Sequence, residues 1–279
     1  MRAEAEPLIT LTRGVEIVSF ENTGDGVRAV GAEGDILRAS IFVAADGLWS
    51  MLRRQIATQV GSAPSPAPVG KSAFRTVVSA DRLPSSLTPN AVHIWLTPGA
   101  HAVHYPVNAG RDVALVVIAD DPSRNAGWDG PVTAEAVREK VRGFAAPLQS
   151  LVGEARQWRH WSLHAMAPLE RWTFGRAALL GDAAHPVLPF LAQGAVMAIE
   201  DAMTLAAHVA DDSKSIETSL RAYEDARHAR IGRVAEASRR NGRIYHMHGV
   251  AALARNSVMK WVPPARMMAG FDWLYGWKL

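Results

Sequence analysis

One stretch constrains the fold of this 279-residue chain more than any other, the segment 175–202, GRAALLGDAAHPVLPFLAQGAVMAIEDA. Its apolar run 177–180 is short and bounded by glycine, as a buried strand should be. Gly181 lets the chain turn closely against a ligand, and Asp182 places a carboxylate at the strand's carboxyl end, where open α/β sheets bind ligands. After a loop punctuated by Pro186 and Pro189, Gly194 opens a helix on which Val196, Ile199, Met203, Ala206 and Ala210 form one apolar stripe. The N–H groups at the start of that helix offer an anion site. Read alone, the segment is either a ligand site or an ordinary αβ turn with a capping aspartate.

A second segment of the same kind lies upstream, where Ile41-Phe42-Val43-Ala44 runs into ADGLWSMLR at 45–53. Gly47 allows the backbone close to a pyrophosphate, and Ser50 and Arg53 stand one helical turn apart, able to face one ligand. Farther on come Tyr223-Glu224, Arg227, the run SRRNGRIYH at 238–246, and Trp273-Leu274-Tyr275-Gly276. In this order, over nearly the whole chain, these motifs resemble the FAD-dependent aromatic-ring monooxygenases of the salicylate hydroxylase and 3-hydroxybenzoate 6-hydroxylase type.

The resemblance implies a mixed α/β (α+β) fold: an FAD-binding flavoprotein domain, an inserted antiparallel sheet for the substrate, and helices at the C-terminal end. It implies that Asp182, beside Gly181, binds the ribityl chain and that the backbone at Gly194-Ala195 faces the flavin pyrimidine. Asp46-Gly47 would lie near the FAD pyrophosphate and the path of the nicotinamide, with Arg53 and Pro186 completing the cofactor contacts. It further implies that NADH or NADPH reduces FAD, which takes up O₂ as a C4a-hydroperoxide and hydroxylates a small phenolic acid.

Candidate catalytic side chains come from the segment His101-Ala102-Val103-His104-Tyr105-Pro106. Strand alternation puts His101, Val103 and Tyr105 on one face and His104 on the other. In the hydroxybenzoate branch of the family a His and a Tyr of this sheet face the substrate, and His101 and Tyr105 are in place to correspond. Either could hydrogen-bond a phenol and help to ionise it; the other reading is a half-buried pair satisfied by backbone groups.

The family's strand–GxGxxG–helix phosphate loop has no counterpart in these 279 residues. The formal match, Gly24-Asp25-Gly26-Val27-Arg28-Ala29, sits between alternating segments at 15–20 and 27–30 and reads as a hairpin turn. Gly70-Lys71-Ser72 suggests a Walker motif, but position 65 is serine where glycine is required. The expectation is therefore a truncated family member that begins just before the second strand pair of the FAD domain, with an unpaired sheet edge.

Four regions follow: a partial FAD domain at 1–70, ending in a proline-rich linker at 61–70; a substrate sheet at 71–165; the FAD domain resumed at 166–212; and C-terminal helices at 213–279. Within the second, strands are expected at 73–79, 91–96, 102–107, 113–118 and near 158–164, with a helix at 133–144. A helix is expected at about 47–57 as well.

With 48% hydrophobic and 20% charged residues the chain can bury a large core. The absence of cysteine excludes thiolate catalysis and thiolate metal sites, and with no signal peptide or apolar span it fits the cytoplasm. The net charge of +3 raises nucleic acid as a partner. Along 216–243, however, Arg221, Arg227, Arg230, Arg233, Arg239, Arg240 and Arg243 alternate with Glu217, Glu224, Asp225 and Glu236, which reads as a solvated face laced with ion pairs. His246 and His248 have no carboxylate close in sequence, so a metal is not expected. Trp261, Trp273, Trp277 and Met267-Met268 suggest core packing or subunit contact, leaving a homodimer open. Two other readings stand at this point: a catalytically dead, flavin-free fragment or interaction protein that keeps the fold, and a flavin oxidoreductase acting on a non-aromatic substrate.

Overall fold

The computed structural model describes residues 8–59, 61, 65–88, 90–121 and 129–279. The chain opens with an antiparallel sheet of β1 (Ile17–Asn22), β2 (Val27–Gly31) and β3 (Ile36–Ala39). Thr23 N–H donates to the Gly26 carbonyl at 2.8 Å, closing the Gly24-Asp25-Gly26 segment as a hairpin turn. β4 (Phe42–Ala44) follows, then α1 (Met51–Gln59). This helix starts later than its pattern suggests because Gly47 turns with φ +77° and Ser50 Oγ accepts from Arg53 N–H at 2.9 Å, capping the first turn.

A six-stranded antiparallel sheet comes next, from β5 (Ala67–Ser79), β6 (His93–Thr97), β7 (Ala100–Val107), β8 (Asp112–Asp120), β9 (Asp129–Val132) and β10 (Trp158–Ala165), in spatial order β6-β7-β8-β5-β10-β9. β5 reaches into the stretch read as a linker, since Ala67 and Pro68 pair with Ala165 and His164 of β10. Pro68 is tolerated near this strand end, where ladder bonds are few. The helices α2 (Ala134–Val141) and α3 (Ala146–Glu154) cover one face of this sheet. They bury Val137, Val141, Leu148, Leu151 and Val152 against Phe74, Val78, Leu115 and Val117. α3 and β9 have no counterpart among the elements expected from the sequence. The opposite face carries Ala73, Val116, Ile118, Trp161 and Leu163.

The chain then forms β11 (Thr173–Phe174), β12 (Ala177–Leu179), α4 (Gly194–Val209) and α5 (Ile216–Tyr245), and ends in α6 (Gly249–Trp261), α7 (Pro264–Ala269) and α8 (Asp272–Tyr275). β12 lies parallel to β4, with Ala177, Ala178 and Leu179 opposite Phe42, Val43 and Ala44. In the order β11-β12-β4, β4 has no further partner strand among the described residues.

One expectation about the helices reverses and one holds only in part. The stripe Val196–Ile199–Met203 of α4 faces outward, with relative exposures of 41%, 61% and 47%. Met197, Glu200, Asp201, Thr204 and Leu205 turn inward instead. The reason is electrostatic: α5 presents two arginines to that side, so α4 buries its acids where they find partners. On α5 the charges of Arg221, Asp225, Arg233, Glu236, Arg239, Arg240 and Arg243 are exposed, as a solvated face requires. Its inward stripe, Leu220, Tyr223, Glu224, Arg227, Ile231, Val234, Ser238 and Gly242, nevertheless includes a buried acid and a buried arginine, and Glu217, Arg227 and Arg230 form ion pairs with other elements.

Candidate functional site

The parallel pairing of β4 with β12 brings the two motif segments together. Strands side by side in one direction end on one edge, so Asp46-Gly47 and Gly181-Asp182 leave neighbouring carboxyl ends, the ligand side of such a sheet. Leu180 N–H donates to the Ala44 carbonyl at 3.0 Å, carrying the register to the point where both chains turn. Gly181 has φ +60°, a conformation open to glycine at little steric cost, and a Cβ there would approach Ala198 Cβ to 3.0 Å.

Arg53 departs from expectation. Rather than facing a ligand beside Ser50, its guanidinium turns inward and is 2% exposed. Nη1 donates to the carbonyls of Asp182 at 3.1 Å and Ala183 at 3.0 Å, and Nη2 to that of Leu48. Nε, also buried, has no protein partner among the described residues. Burial lowers the Arg53 pKa from its ordinary value against the pull of Asp46 and Asp182. Arg53 thus ties the first motif to the backbone of the second.

The Gly-Asp loop is fixed from below by Asp201, which the sequence reading passed over. Its Oδ2 accepts from Gly181 N–H at 3.0 Å and from His185 Nε2 at 2.6 Å, while Oδ1 accepts from Arg227 Nε at 2.7 Å. Burial opposes its charge, but the bonds from His185, Arg227 and Gly181 outweigh that and hold its pKa below the usual carboxylate range. Glu200 completes the cluster, accepting from Arg227 Nη1 at 2.8 Å and Arg230 Nε at 2.6 Å. The sequence signal was an Asp and an Arg on successive helices, visible only once those helices are known to pack.

Asp182 itself accepts no side-chain bond among the described residues; its carboxylate reaches solvent through a cleft whose walls desolvate it enough to raise its pKa, with His185 and Arg53 pulling the other way. The cleft, about 290 Å³, runs between Asp182-Pro186-Val187-Leu188 and the sheet face of Ala73, Val116, Ile118 and Trp161. Arg75 stands at its edge, 5.3 Å above the Trp161 ring. Gly194 begins α4 with no side-chain cap, and a Cβ there would find Asp182 Oδ1 at 3.9 Å, so open helix N–H groups and a carboxylate face one space. Gly194 is half-buried and Ala195 exposed. A hydroxyl-bearing chain leading to a flat, partly anionic ring fits this set of donors and acceptors. Asp46 is exposed at the neighbouring strand end, beside half-buried Gly47.

His101 and Tyr105 share the cleft-side face of β7, where they pair with Ile118 and Ala114 of β8. Neither lines the cleft directly. Tyr105 is half-buried, and His101 lies beneath Phe190 with Nδ1 2.7 Å from His246 Nε2. Sequence reasoning weighed His246 for a metal and Lys71 for a phosphate loop but placed neither near His101, because 145 positions separate His246 from that partner. His104, on the opposite face, is bonded by Trp95 Nε1 at 2.9 Å.

Residues 1–238 match the protein family described as "FAD binding domain". Over 270 residues the chain is 36% identical to 3-hydroxybenzoate 6-hydroxylase 1 of Aquipseudomonas alcaligenes, covering 96% of this chain and 67% of that protein. It is 34% identical to 3-amino-4-hydroxybenzoate 2-monooxygenase PtmB3 of Streptomyces platensis, covering 93% and 64%. The solved structure of a salicylate hydroxylase substrate complex superposes with a TM-score of 0.83 at 24% identity, over 99% of this chain and 71% of that one. The chain thus spans about two thirds of the length of the curated relatives it matches.

Proposed function

The chain belongs to the FAD-binding domain family, and on that premise we propose that it hydroxylates the ring of a small phenolic acid, with FAD as cofactor and O₂ and NADH or NADPH as co-substrates. The observation that carries the reading is the cleft itself: an apolar sheet face opposite a carboxylate-bearing loop, with the cation of Arg75 in its lining.

Asp182 would hold the ribityl hydroxyls, and the N–H groups at Gly194-Ala195 would face the electron-rich edge of the ring, with Pro186 against it. Asp46-Gly47 would lie toward the pyrophosphate. Bound FAD, reduced by the nicotinamide, supplies the oxygen chemistry. The protein's task is to orient the phenolic ring and to exclude water, and Ala73, Val116, Ile118 and Leu163 supply an apolar wall for both. Arg75 offers a charge for the substrate carboxylate. His101 and Tyr105, on the same sheet face, are the groups we assign to the phenolic oxygen, His101 holding it as phenolate. Proteins of similar sequence named for 3-hydroxybenzoate and 3-amino-4-hydroxybenzoate support this substrate class.

The experiment is a panel of hydroxybenzoates with saturating FAD, scoring nicotinamide consumed, product and hydrogen peroxide together. Phenol-stimulated nicotinamide oxidation with a hydroxylated product is expected. His101→Ala and Tyr105→Phe should cut hydroxylation by about 10²–10⁴-fold while flavin reduction persists, because ring attack needs the phenolate and hydride transfer does not. Peroxide without product from every phenol would overturn the reading in favour of an oxidase.

A further inference from the structure

His101 is packed under Phe190 and Tyr245, ring centroids 5.7 and 5.1 Å away, and its one hydrogen bond among the described residues is to His246. His246, at the end of α5, is itself buried, and its second nitrogen, Nδ1, lies 2.7 Å from Lys71 Nζ on β5. Lys71 contacts Asp120 of β8, whose Oδ1 is also 3.9 Å from His246 Nδ1. Lys71, Asp120 and His246 line a second cavity, of about 490 Å³, with Arg239, Arg243 and His248 around it. A continuous chain of polar atoms therefore leads from a buried ring to open space.

Elementary chemistry gives that chain a direction. A lysine ammonium has donors and no acceptor, so His246 Nδ1 accepts and carries no proton. A neutral imidazole then bears its proton on Nε2, which donates to His101 Nδ1, and His101 in turn bears its proton on Nε2. Both rings are held neutral: burial first, then His246 and Lys71, push the His101 pKa down to about 3, and burial and Lys71 push that of His246 down to about 4.

We propose that Lys71, acting through His246, sets the tautomer of His101, so that His101 presents Nε2–H as a donor to the phenolic oxygen of the substrate and favours its ionised form. The inference rests on the reading above that His101 meets the substrate. His246 and Lys71 are positioning residues, since they act only through His101.

Nitrogen-15 NMR of the ring nitrogens in the histidine-labelled 279-residue chain tests this tautomer control without any cofactor. His101 should show a protonated Nε2 and an unprotonated, hydrogen-bonded Nδ1. Lys71→Met, which removes the cation at the surface end, should bring up the second tautomer in both rings, and His246→Phe should do so in His101. A parent His101 protonated on Nδ1, or His101 signals unmoved in Lys71→Met, would overturn the proposal. Kinetics at saturating FAD test its premise separately: ring spectra as expected with His101→Ala still fully coupled would refute the role of His101 while the tautomer coupling stands.

Discussion

Arg53 and Asp182 lie 129 positions apart in sequence, yet Arg53 Nη1 donates to the backbone carbonyl of Asp182 at 3.1 Å. The side chain of one motif thereby sets the backbone of the other, leaving the Asp182 carboxylate free to point into the cleft. The arrangement assigns different work to residues that look alike in sequence: Arg53 and Asp201 hold the loop, and Asp182 presents it.

Arg53→Ala removes donors from three carbonyls, two of them buried with it, and leaves a void. A loss of about 3 kcal/mol in urea-unfolding stability is expected, given about 1.5–3 kcal/mol for hydrogen bonds to charged groups. Arg53→Lys should recover only part, because one ammonium cannot span the fork. A variant as stable as the parent would show that the loop does not depend on this contact.

Asp201 and Asp182 should separate stability from binding. Asp201→Asn removes one of the two buried carboxylates that pair with Arg227, leaving Glu200, and should lower unfolding free energy by about 1.5–3 kcal/mol, the worth of hydrogen bonds to a charged group. Asp182→Ala should leave the melting temperature nearly unchanged and weaken FAD by about 1–3 kcal/mol, the worth of a lost buried acceptor. Titration calorimetry beside thermal melts reads both; the same pattern in the two variants would dissolve the distinction.

FAD should bind the 279-residue chain weakly. The cleft offers a carboxylate and a helix start, but the sequence holds no glycine-rich strand–turn–helix to wrap a doubly charged pyrophosphate in N–H groups. Gel filtration after incubation with FAD is expected to give a colourless protein peak. A yellow peak with near-equimolar flavin would place the phosphate contacts elsewhere in these residues.

Acid should destabilise the fold through its buried rings. An unfolded histidine titrates near 6.5, but His101 in the fold titrates at about 3 and His246 at about 4. Between those values the unfolded chain takes up protons that the native chain refuses, so the stability present above pH 6.5 is lost as the pH falls toward the folded values. For His101 the loss is about 2 kcal/mol at pH 5, at ~1.4 kcal/mol per unit. Replacement by Phe should flatten the profile of unfolding free energy between pH 7 and 5. An unchanged slope would mean that the ring is protonated in the fold.

The elements that depend on local pattern were readable in the sequence. The hairpin at Gly24-Asp25-Gly26, five of the six strands of the large sheet, the strand–Gly-Asp–helix unit and the long α5 all follow from spacing and turn chemistry acting over a few residues. Resemblance carried by the two motif segments brought the fold family with it, because those segments build the strand ends that a cofactor site requires.

Charge placement was decided by tertiary structure. On α4 the apolar stripe of Val196, Ile199 and Met203 argues for burial, yet those residues face outward and Glu200 and Asp201 go in. A buried carboxylate is prohibitive alone and acceptable beside a buried arginine, so which face turns inward depends on α5, 26 and 27 positions away at Arg227. The same holds for Arg53, which looks free to meet a phosphate until the loop carbonyls at 182 and 183 surround it, and for His101, whose partner His246 arrives from the far end of α5. Sequence determines what each segment can form by itself; which polar groups share a buried space is settled only when distant segments pack and each must find a partner or remain unpaired.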